Sequence, residues 1–254
     1  RIIAVDDGST DNTADILALA CRQDPRLEVL TQRPNQGICA ALNRGLMAAE
    51  APLIARMDAD DWSYPERLAR QASFLRNHPD IGVVGCQVDY GGDRRTQQGY
   101  AAYVDWTNSL LSSTDIALNR FVESPFAHPS VMFRATVAAA HGGYRHGPFP
   151  EDYELWLRWL AAGVRMAKVA EHLLRWSDPP RRLSRLDDRY APEAFYRCKA
   201  GYLARWLSQH NPHHPDVVVW GAGKQSRKRA DMLMSEGIHI THYIDINPQK
   251  IGQT

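Results

Sequence analysis

Short apolar runs alternate with stretches of helical periodicity over the first third of the chain. Four runs have the length and apolar character of buried strands, and they cover residues 2–5, 27–30, 53–57 and 81–88. Apolar residues recur at helical spacing between them, over residues 16–20, 40–46 and 65–77. Strands that alternate with helices over short connections predict a mostly parallel sheet covered by helices. We therefore expect an α/β fold whose ligands bind beyond the carboxyl ends of the strands.

The middle of the chain is less regular. A helix is predicted near residues 106–118, a short strand at 131–133 and a further helix near 192–209. The strongest helical pattern covers residues 151–162, where apolar side chains surround most of the helix axis. A helix of that kind is expected to be nearly engulfed by the rest of the protein.

The end of the chain forms a separate pattern. Residues 210–215 read HNPHHP, which is typical of a linker, so we expect a domain at 1–209 and a small unit at 216–254. In that unit a strand, the turn Gly221-Ala222-Gly223, a helix and a second strand predict a partial Rossmann-like βαβ unit. Asp245 has the spacing of an acid that binds ribose, but Ser226 replaces the third glycine. An accessory unit is therefore favoured over a working cofactor site.

Charge and hydropathy exclude several classes of protein. The 254 residues contain 30 Lys plus Arg and 29 Asp plus Glu, so the net charge of +1 argues against a nucleic-acid partner. No apolar run approaches the length of a membrane helix. Four scattered cysteines without a CxxC pair suit reduced thiols in a cytosolic protein.

The strongest chemical signal is the acidic run Asp58-Ala59-Asp60-Asp61, directly after the third predicted strand. In an extended backbone Asp58 and Asp60 point to the same face, where their charges repel each other. A hard divalent cation such as Mg²⁺ or Mn²⁺ relieves that repulsion. The alternative is a polar loop that caps the helix beginning near Pro65.

Two other acidic clusters extend this pattern. Asp6 and Asp7 follow the first strand, where carboxylates accept hydrogen bonds from a base or a ribose, although a simple glycine turn is the alternative. Glu151 and Asp152 begin the engulfed helix, where acids also stabilise the helix dipole. Since the first and third strands are expected in one parallel sheet, both of their acidic ends should line one rim of it.

Five segments in order closely resemble the family 2 glycosyltransferases, over roughly residues 1–185. They are VDDGSTD from Val5, NQG from Asn35, DADD from Asp58, HPSVMFR from His128 and EDYELWLR from Glu151. The resemblance implies a GT-A fold, a nucleotide-diphosphate sugar donor and inversion at the anomeric carbon. Because a chain that begins at Arg1 lacks the strand and helix that precede this segment in the family, it also implies a sheet without an internal strand and a risk of poor folding or inactivity.

Carried over to this sequence, the resemblance assigns roles to individual residues. The nucleotide-sugar positions are Asp6, Asp7, Asn35, Gly37, Asp58, Arg182 and Ser184. Asp60 is the expected metal ligand, and Asp58 faces ribose or the metal. Asp152 matches the general base, with Glu151 beside it, and the helix dipole is expected to keep Asp152 ionised. Residue 181 belongs to the same basic segment as Arg182, which closes over the diphosphate in the family.

The predicted function is metal-dependent transfer of a sugar to a glycan or lipid-linked acceptor in surface polysaccharide assembly. We expect it in the cytoplasm, at the inner face of the membrane, with acceptor contacts from residues 89–125 and 141–150. A nucleotide-sugar binding module that is inactive in this form and a sugar-phosphate nucleotidyltransferase are the alternatives. An NAD-dependent oxidoreductase, based on the turn that begins at Gly221, is the weakest hypothesis, because it leaves the first 185 residues unexplained. His128 is open between a ligand contact and a structural role.

Overall fold

The computed structural model describes residues 1–179 and 182–248. Its strands are β1 (Ile2–Asp6), β2 (Leu27–Thr31), β3 (Leu53–Ala55), β4 (Trp62–Ser63), β5 (Ile81–Tyr90), β6 (Met132–Arg134), β7 (Arg165–Trp176), β8 (Asp216–Trp220) and β9 (His239–Ile244). Its helices are α1 (Thr13–Gln23), α2 (Ile38–Ala48), α3 (Arg67–Asn77), α4 (Gln98–Ser109), α5 (Ser113–Asn119), α6 (Ala135–His141), α7 (Glu151–Ala161), α8 (Leu183–Leu186), α9 (Pro192–His210) and α10 (Lys224–Met234). Short 3₁₀ turns cover His128–Ser130 and Asp188–Tyr190.

The central sheet has five strands in the order β3-β6-β5-β7-β4, and β1 and β2 form a separate parallel pair. The predicted α/β class is confirmed, and the long pairings β1–β2 and β5–β7 are parallel. The prediction that the first and third strands share one sheet is wrong, because β3 pairs antiparallel with β6 instead. An apolar run predicts a buried strand but does not determine which neighbour satisfies its backbone. The acidic ends of β1 and β3 therefore belong to different sheets.

Apolar side chains cover both faces of the central sheet. Val83, Phe133 and Met166 lie on one face and pack with Trp156 and Trp159 of α7. Both indoles are fully buried, at 0% exposure, with ring centroids 5.7 Å apart. The engulfed helix expected from the sequence is thus present, and it fixes the position of the acids at its start.

The predicted single helix over 106–118 is wrong, because the structure has two helices there. α4 ends at Ser109, and Ser112 begins α5 through a capping box with Asp115. In that box each side chain accepts a hydrogen bond from the other residue's backbone N–H, which starts a new helix. The break also lets the carbonyl of Leu111 accept a hydrogen bond from the Lys168 backbone at 2.9 Å.

The C-terminal strands β8 and β9 form a parallel pair with α10 between them in sequence. α10 packs on α9, where Lys228 bonds Glu193 at 3.0 Å and the Arg229 guanidinium lies 3.9 Å from the Tyr196 ring centroid. At the glycine turn, the Asp245 carboxylate accepts a hydrogen bond from a backbone N–H at 2.8 Å. None of the described helices combines the length and the apolar character needed to span a bilayer.

Candidate active site

A cleft of about 590 Å³ opens beside the central sheet. Its walls come from the segment after β3, from α4, from the start of α7 and from the segment after β7. Six residues predicted as site residues line it: Asp58, Asp60, Glu151, Asp152, Arg182 and Ser184. The fold thus brings together acids and a basic residue that are more than 100 positions apart in sequence.

Three carboxylates meet on one side of the cleft. Asp58, Asp60 and Asp61 each place an oxygen within 4.8 Å of the others. Asp58 forms an ion pair with the buried guanidinium of Arg56. Asp61 accepts a hydrogen bond from the Ser177 backbone at 2.7 Å, and burial raises the pKa of Asp61 to about 7. The crowding of negative charge predicted for this run is therefore real.

The chemistry of this cluster fits a divalent cation. Carboxylate oxygens are the hard ligands that Mg²⁺ and Mn²⁺ prefer. The second oxygen of Asp61 is buried without a hydrogen-bond partner among the described residues, so it is an unsatisfied acceptor that a bound cation would satisfy. Asp60 is exposed and faces the open cleft. Sequence reasoning quoted Asp61 within the acidic run but assigned it no role.

The second acidic pair lies at the start of α7. Glu151 is buried, at 2% exposure, and accepts a hydrogen bond from the Tyr190 hydroxyl at 2.6 Å. Burial is the main cause, and repulsion from the Glu151 charge the second, that raises the pKa of Asp152 to about 7. The expectation that the helix dipole keeps Asp152 ionised is wrong, because burial outweighs the dipole. A carboxylate with a pKa near the working pH is better suited to accept a proton.

The basic segment predicted to cover the diphosphate lies at the mouth of the cleft. The Arg182 guanidinium lies 4.1 Å from the Trp176 ring centroid, and one of its nitrogens is 3.6 Å from Asp178. The Ser184 and Tyr100 hydroxyl oxygens are 3.4 Å apart. Residue 181 lies outside the described residues. The Arg182 guanidinium thus lies over an indole and beside an acid in the wall of the cleft.

The remaining predicted nucleotide residues form a second group that does not line this cleft. Asp7 accepts hydrogen bonds from the backbones of Gln36 and Gly37, each at 2.8 Å. The Asn35 side-chain amide donates to the Asp7 carbonyl at 2.7 Å. Ile38, the first residue of α2, lines the cleft and directly follows Gly37. This second group therefore adjoins the cleft along the chain.

Asp6 and Gly8 fix the turn at the end of β1. One oxygen of the buried Asp6 accepts the Ser9 backbone N–H at 2.9 Å, and the other has no hydrogen-bond partner among the described residues. Hydrogen bonding by Ser9 lowers the pKa of Asp6. Gly8 has φ +77°, and a Cβ atom there would lie 2.9 Å from the Asn35 backbone nitrogen. Asp6 is therefore an ionised acceptor on a turn that only glycine fits.

His128 lies in the wall of the cleft in a structural setting. Its Nε2 is 2.7 Å from the Tyr144 hydroxyl, and the residue is buried. Burial lowers the pKa of His128 well below its usual value, so the ring is neutral. Sequence reasoning missed Arg56 and Tyr190, since a lone arginine or tyrosine outside a motif has no distinguishing pattern.

Comparison with solved structures places the fold among the GT-A glycosyltransferases. TarS residues 1–349 of S. aureus, solved with UDP-GlcNAc, matches 93% of this chain and 62% of its own, with TM-score 0.61 and 17% identity. The mannosyltransferase PcManGT of Pyrobaculum calidifontis was solved with GDP-Man and Mn²⁺. Its match covers 95% of this chain and 61% of that chain, with TM-score 0.53 and 17% identity.

Sequence comparison gives the family. The Glycosyl transferase family 2 model matches residues 1–141, and the chain belongs to that family. The amylovoran biosynthesis glycosyltransferase AmsE of Erwinia amylovora is 30% identical over 178 residues, covering 69% of this chain and 63% of that protein. The chain thus spans less than two thirds of the length of this relative.

Proposed function

We propose that this protein transfers a sugar from a nucleotide-diphosphate sugar to an acceptor hydroxyl, with inversion at the anomeric carbon. The observation that carries the proposal is the acid triplet Asp58, Asp60 and Asp61, which shares one cleft with the pair Glu151 and Asp152. Membership of family 2 supports it. The presence of a base candidate in the same cleft argues for transfer over binding alone.

The residues divide the reaction between them. Asp152 accepts the proton of the acceptor hydroxyl while that oxygen bonds to the anomeric carbon, and the bond from that carbon to the diphosphate breaks on the opposite face. Arg182 stabilises the negative charge of the departing diphosphate. Asp60, with Asp58, would hold Mg²⁺ or Mn²⁺, which supplies Lewis-acid charge when bound. The sequence of bond changes needs no covalent enzyme intermediate.

The wider setting is part of the same proposal. The name of AmsE refers to amylovoran biosynthesis, which supports a role in polysaccharide assembly. The acceptor in this proposal is a glycan or a lipid-linked sugar. We place the reaction in the cytoplasm, at the inner face of the membrane. Residues 1–209 would be the transferase domain, 210–215 a linker and 216–254 an accessory unit.

Thermal stability in the presence of nucleoside diphosphates tests the donor site. We would melt the protein with UDP, GDP, ADP, CDP and dTDP, in Mn²⁺ and then in EDTA. A ligand at 100 times its Kd adds about 2.7 kcal/mol, which raises the Tm by roughly 5–11 °C for a chain of this size. The proposal predicts a metal-dependent rise with one nucleotide that Asp60→Asn abolishes.

Asp15→Asn is the matched control, because Asp15 is an exposed acid on α1, away from the cleft. It should leave the rise intact. A cooperative melt that none of the nucleotides shifts would refute the donor site, and so would an equal shift in EDTA.

A further inference from the structure

Part of the cleft wall is formed by the non-helical segment 120–126. Side chains from three helices hold its backbone, since the hydroxyls of Tyr103 and Tyr153 and the ammonium of Lys199 each donate to one of its carbonyls at 2.7–2.9 Å. These bonds leave the segment little freedom. It therefore presents its side chains to the cleft in a fixed arrangement, which favours binding.

Glu123 is the charged side chain of this segment that lines the cleft. One of its oxygens accepts the Ser124 backbone N–H at 3.0 Å. The Lys199 ammonium donates its hydrogen bond to a backbone carbonyl and attracts the Glu123 carboxylate only through its charge, without a direct ion pair within residues 1–179 and 182–248. Burial raises the pKa of Glu123. Among the described residues the Ser124 N–H donates to Glu123, and the rest of this cleft-lining carboxylate can accept hydrogen bonds from a ligand.

Aromatic rings line the same cleft as Glu123, among them Phe195, Tyr190 and Tyr103. Phe195 is half-buried and packs beside Tyr153, with ring centroids 5.6 Å apart, which restricts the motion of its ring. A carboxylate accepts two hydroxyl hydrogen bonds, and a fixed aromatic ring packs against the apolar face of a pyranose. Together they match the chemistry of a sugar ring.

We propose that Glu123 and Phe195 form the acceptor subsite, in which an uncharged sugar residue stacks on Phe195 and donates hydroxyl hydrogen bonds to the Glu123 carboxylate. This inference rests on the proposed function, which requires an acceptor hydroxyl near Asp152 in the same cleft. Glu123, Glu151 and Asp152 all line this cleft, so a uronic acid or another anionic sugar is disfavoured by repulsion.

Saturation-transfer NMR on the full chain tests the subsite directly. The probes are methyl glycosides of glucose, galactose, mannose, rhamnose and N-acetylglucosamine, with methyl glucuronide as the anionic comparison. Each is added with Mg²⁺ and the nucleoside diphosphate that stabilises the protein. We expect at least one uncharged glycoside to bind and the glucuronide not to bind. Glu123→Gln should weaken that glycoside about tenfold or more, because a hydrogen bond to a charged group is lost.

Controls separate this inference from the donor site. Glu66→Gln, a change at an exposed glutamate, should leave the glycoside and nucleotide signals intact. Glu123→Gln should leave the nucleotide signal intact. If Glu123→Gln fails to retain the nucleotide, Phe195→Leu takes its place, with the same expected loss of glycoside. The inference is overturned if the nucleotide binds but none of the glycosides does, if the glucuronide binds best, or if the variants bind glycoside like the wild type. Absence of a nucleotide signal in the wild type refutes the proposed function instead.

Discussion

Asp152 gives the sharpest prediction, because two properties of the protein depend on its protonation. Its pKa is raised from the ordinary aspartate value of 3.8 to about 7, by burial and by the charge of Glu151. Only the ionised carboxylate accepts a proton from the acceptor hydroxyl. Activity should therefore rise with pH through the neutral range instead of being constant above pH 5.

The magnitude follows from the ionised fraction. With a pKa near 7, about 9% of Asp152 is ionised at pH 6 and about 91% at pH 8, so kcat/KM should rise roughly tenfold between them. An unshifted aspartate would be almost fully ionised at both values and would give no rise. Asp152→Asn removes the base and should lower kcat by roughly 10²–10⁴-fold.

The assay is the initial rate of nucleoside diphosphate release, measured from pH 5.5 to 8.5 at saturating metal. Asp15→Asn serves as the control for an aspartate far from the cleft. A flat profile for the wild type would refute the raised pKa. An Asp152→Asn rate within a few fold of the wild type would refute its role as base.

The same shift makes a prediction about stability with a definite sign. Because the folded pKa of Asp152 lies above the unfolded value, folding takes up a proton between about pH 4 and 7. The stability associated with this group is present at low pH and is lost as pH rises through about 7. Asp152→Asn should therefore melt at a higher temperature than the wild type at pH 8, and the difference should shrink at pH 5. An equal or lower Tm at pH 8 would contradict the account.

Three further predictions concern the frame of the site. Trp156→Ala should lose about 3–5 kcal/mol in denaturant unfolding, because the indole is fully buried, whereas Trp62→Ala, at 67% exposure, should lose far less. Gly8→Ala should lower both the Tm and nucleotide affinity, because of its left-handed φ, while Gly223→Ala, with open space around it and outside the cleft, should not. Tyr190→Phe should cost about 1–3 kcal/mol by leaving a buried carboxylate oxygen without its hydroxyl donor. A similar loss in the Trp156 or Gly8 variant and its control would contradict these predictions. So would an unfolding free energy of Tyr190→Phe equal to that of the wild type.

Local patterns predicted the elements well where they were strongly periodic. The helix at 151–162 follows from its apolar circumference, and the capping signal at Ser112 was present but was hidden inside a longer helical run. β7 was not predicted, because Lys168, Glu171 and His172 interrupt its apolar residues, although it is the longest strand described. Pairing depends on contacts distant in sequence, which explains why β3 was placed in the wrong sheet.

The site could be predicted as motifs but not as geometry. The acid triplet and the pair Glu151 and Asp152 lie in short runs after a strand or at the start of a helix, so sequence alone indicated them. Arg56, Tyr190 and Glu123 have no such motif, and their importance comes from burial and from neighbours distant along the chain. The pKa of Asp152 had the wrong predicted direction because the dipole is visible in a sequence, whereas burial is not.

The most direct test of the central claim is release of nucleoside diphosphate from a panel of nucleotide sugars, with and without divalent metal. The account predicts release from one donor that requires Mg²⁺ or Mn²⁺ and that falls steeply in both Asp60→Asn and Asp152→Asn. Two further donor-side expectations share this assay: EDTA should stop release, and Asp15→Asn should not affect it. Release that persists in EDTA, or that Asp60→Asn and Asp152→Asn both retain, would contradict the assignment of a metal-dependent glycosyltransferase.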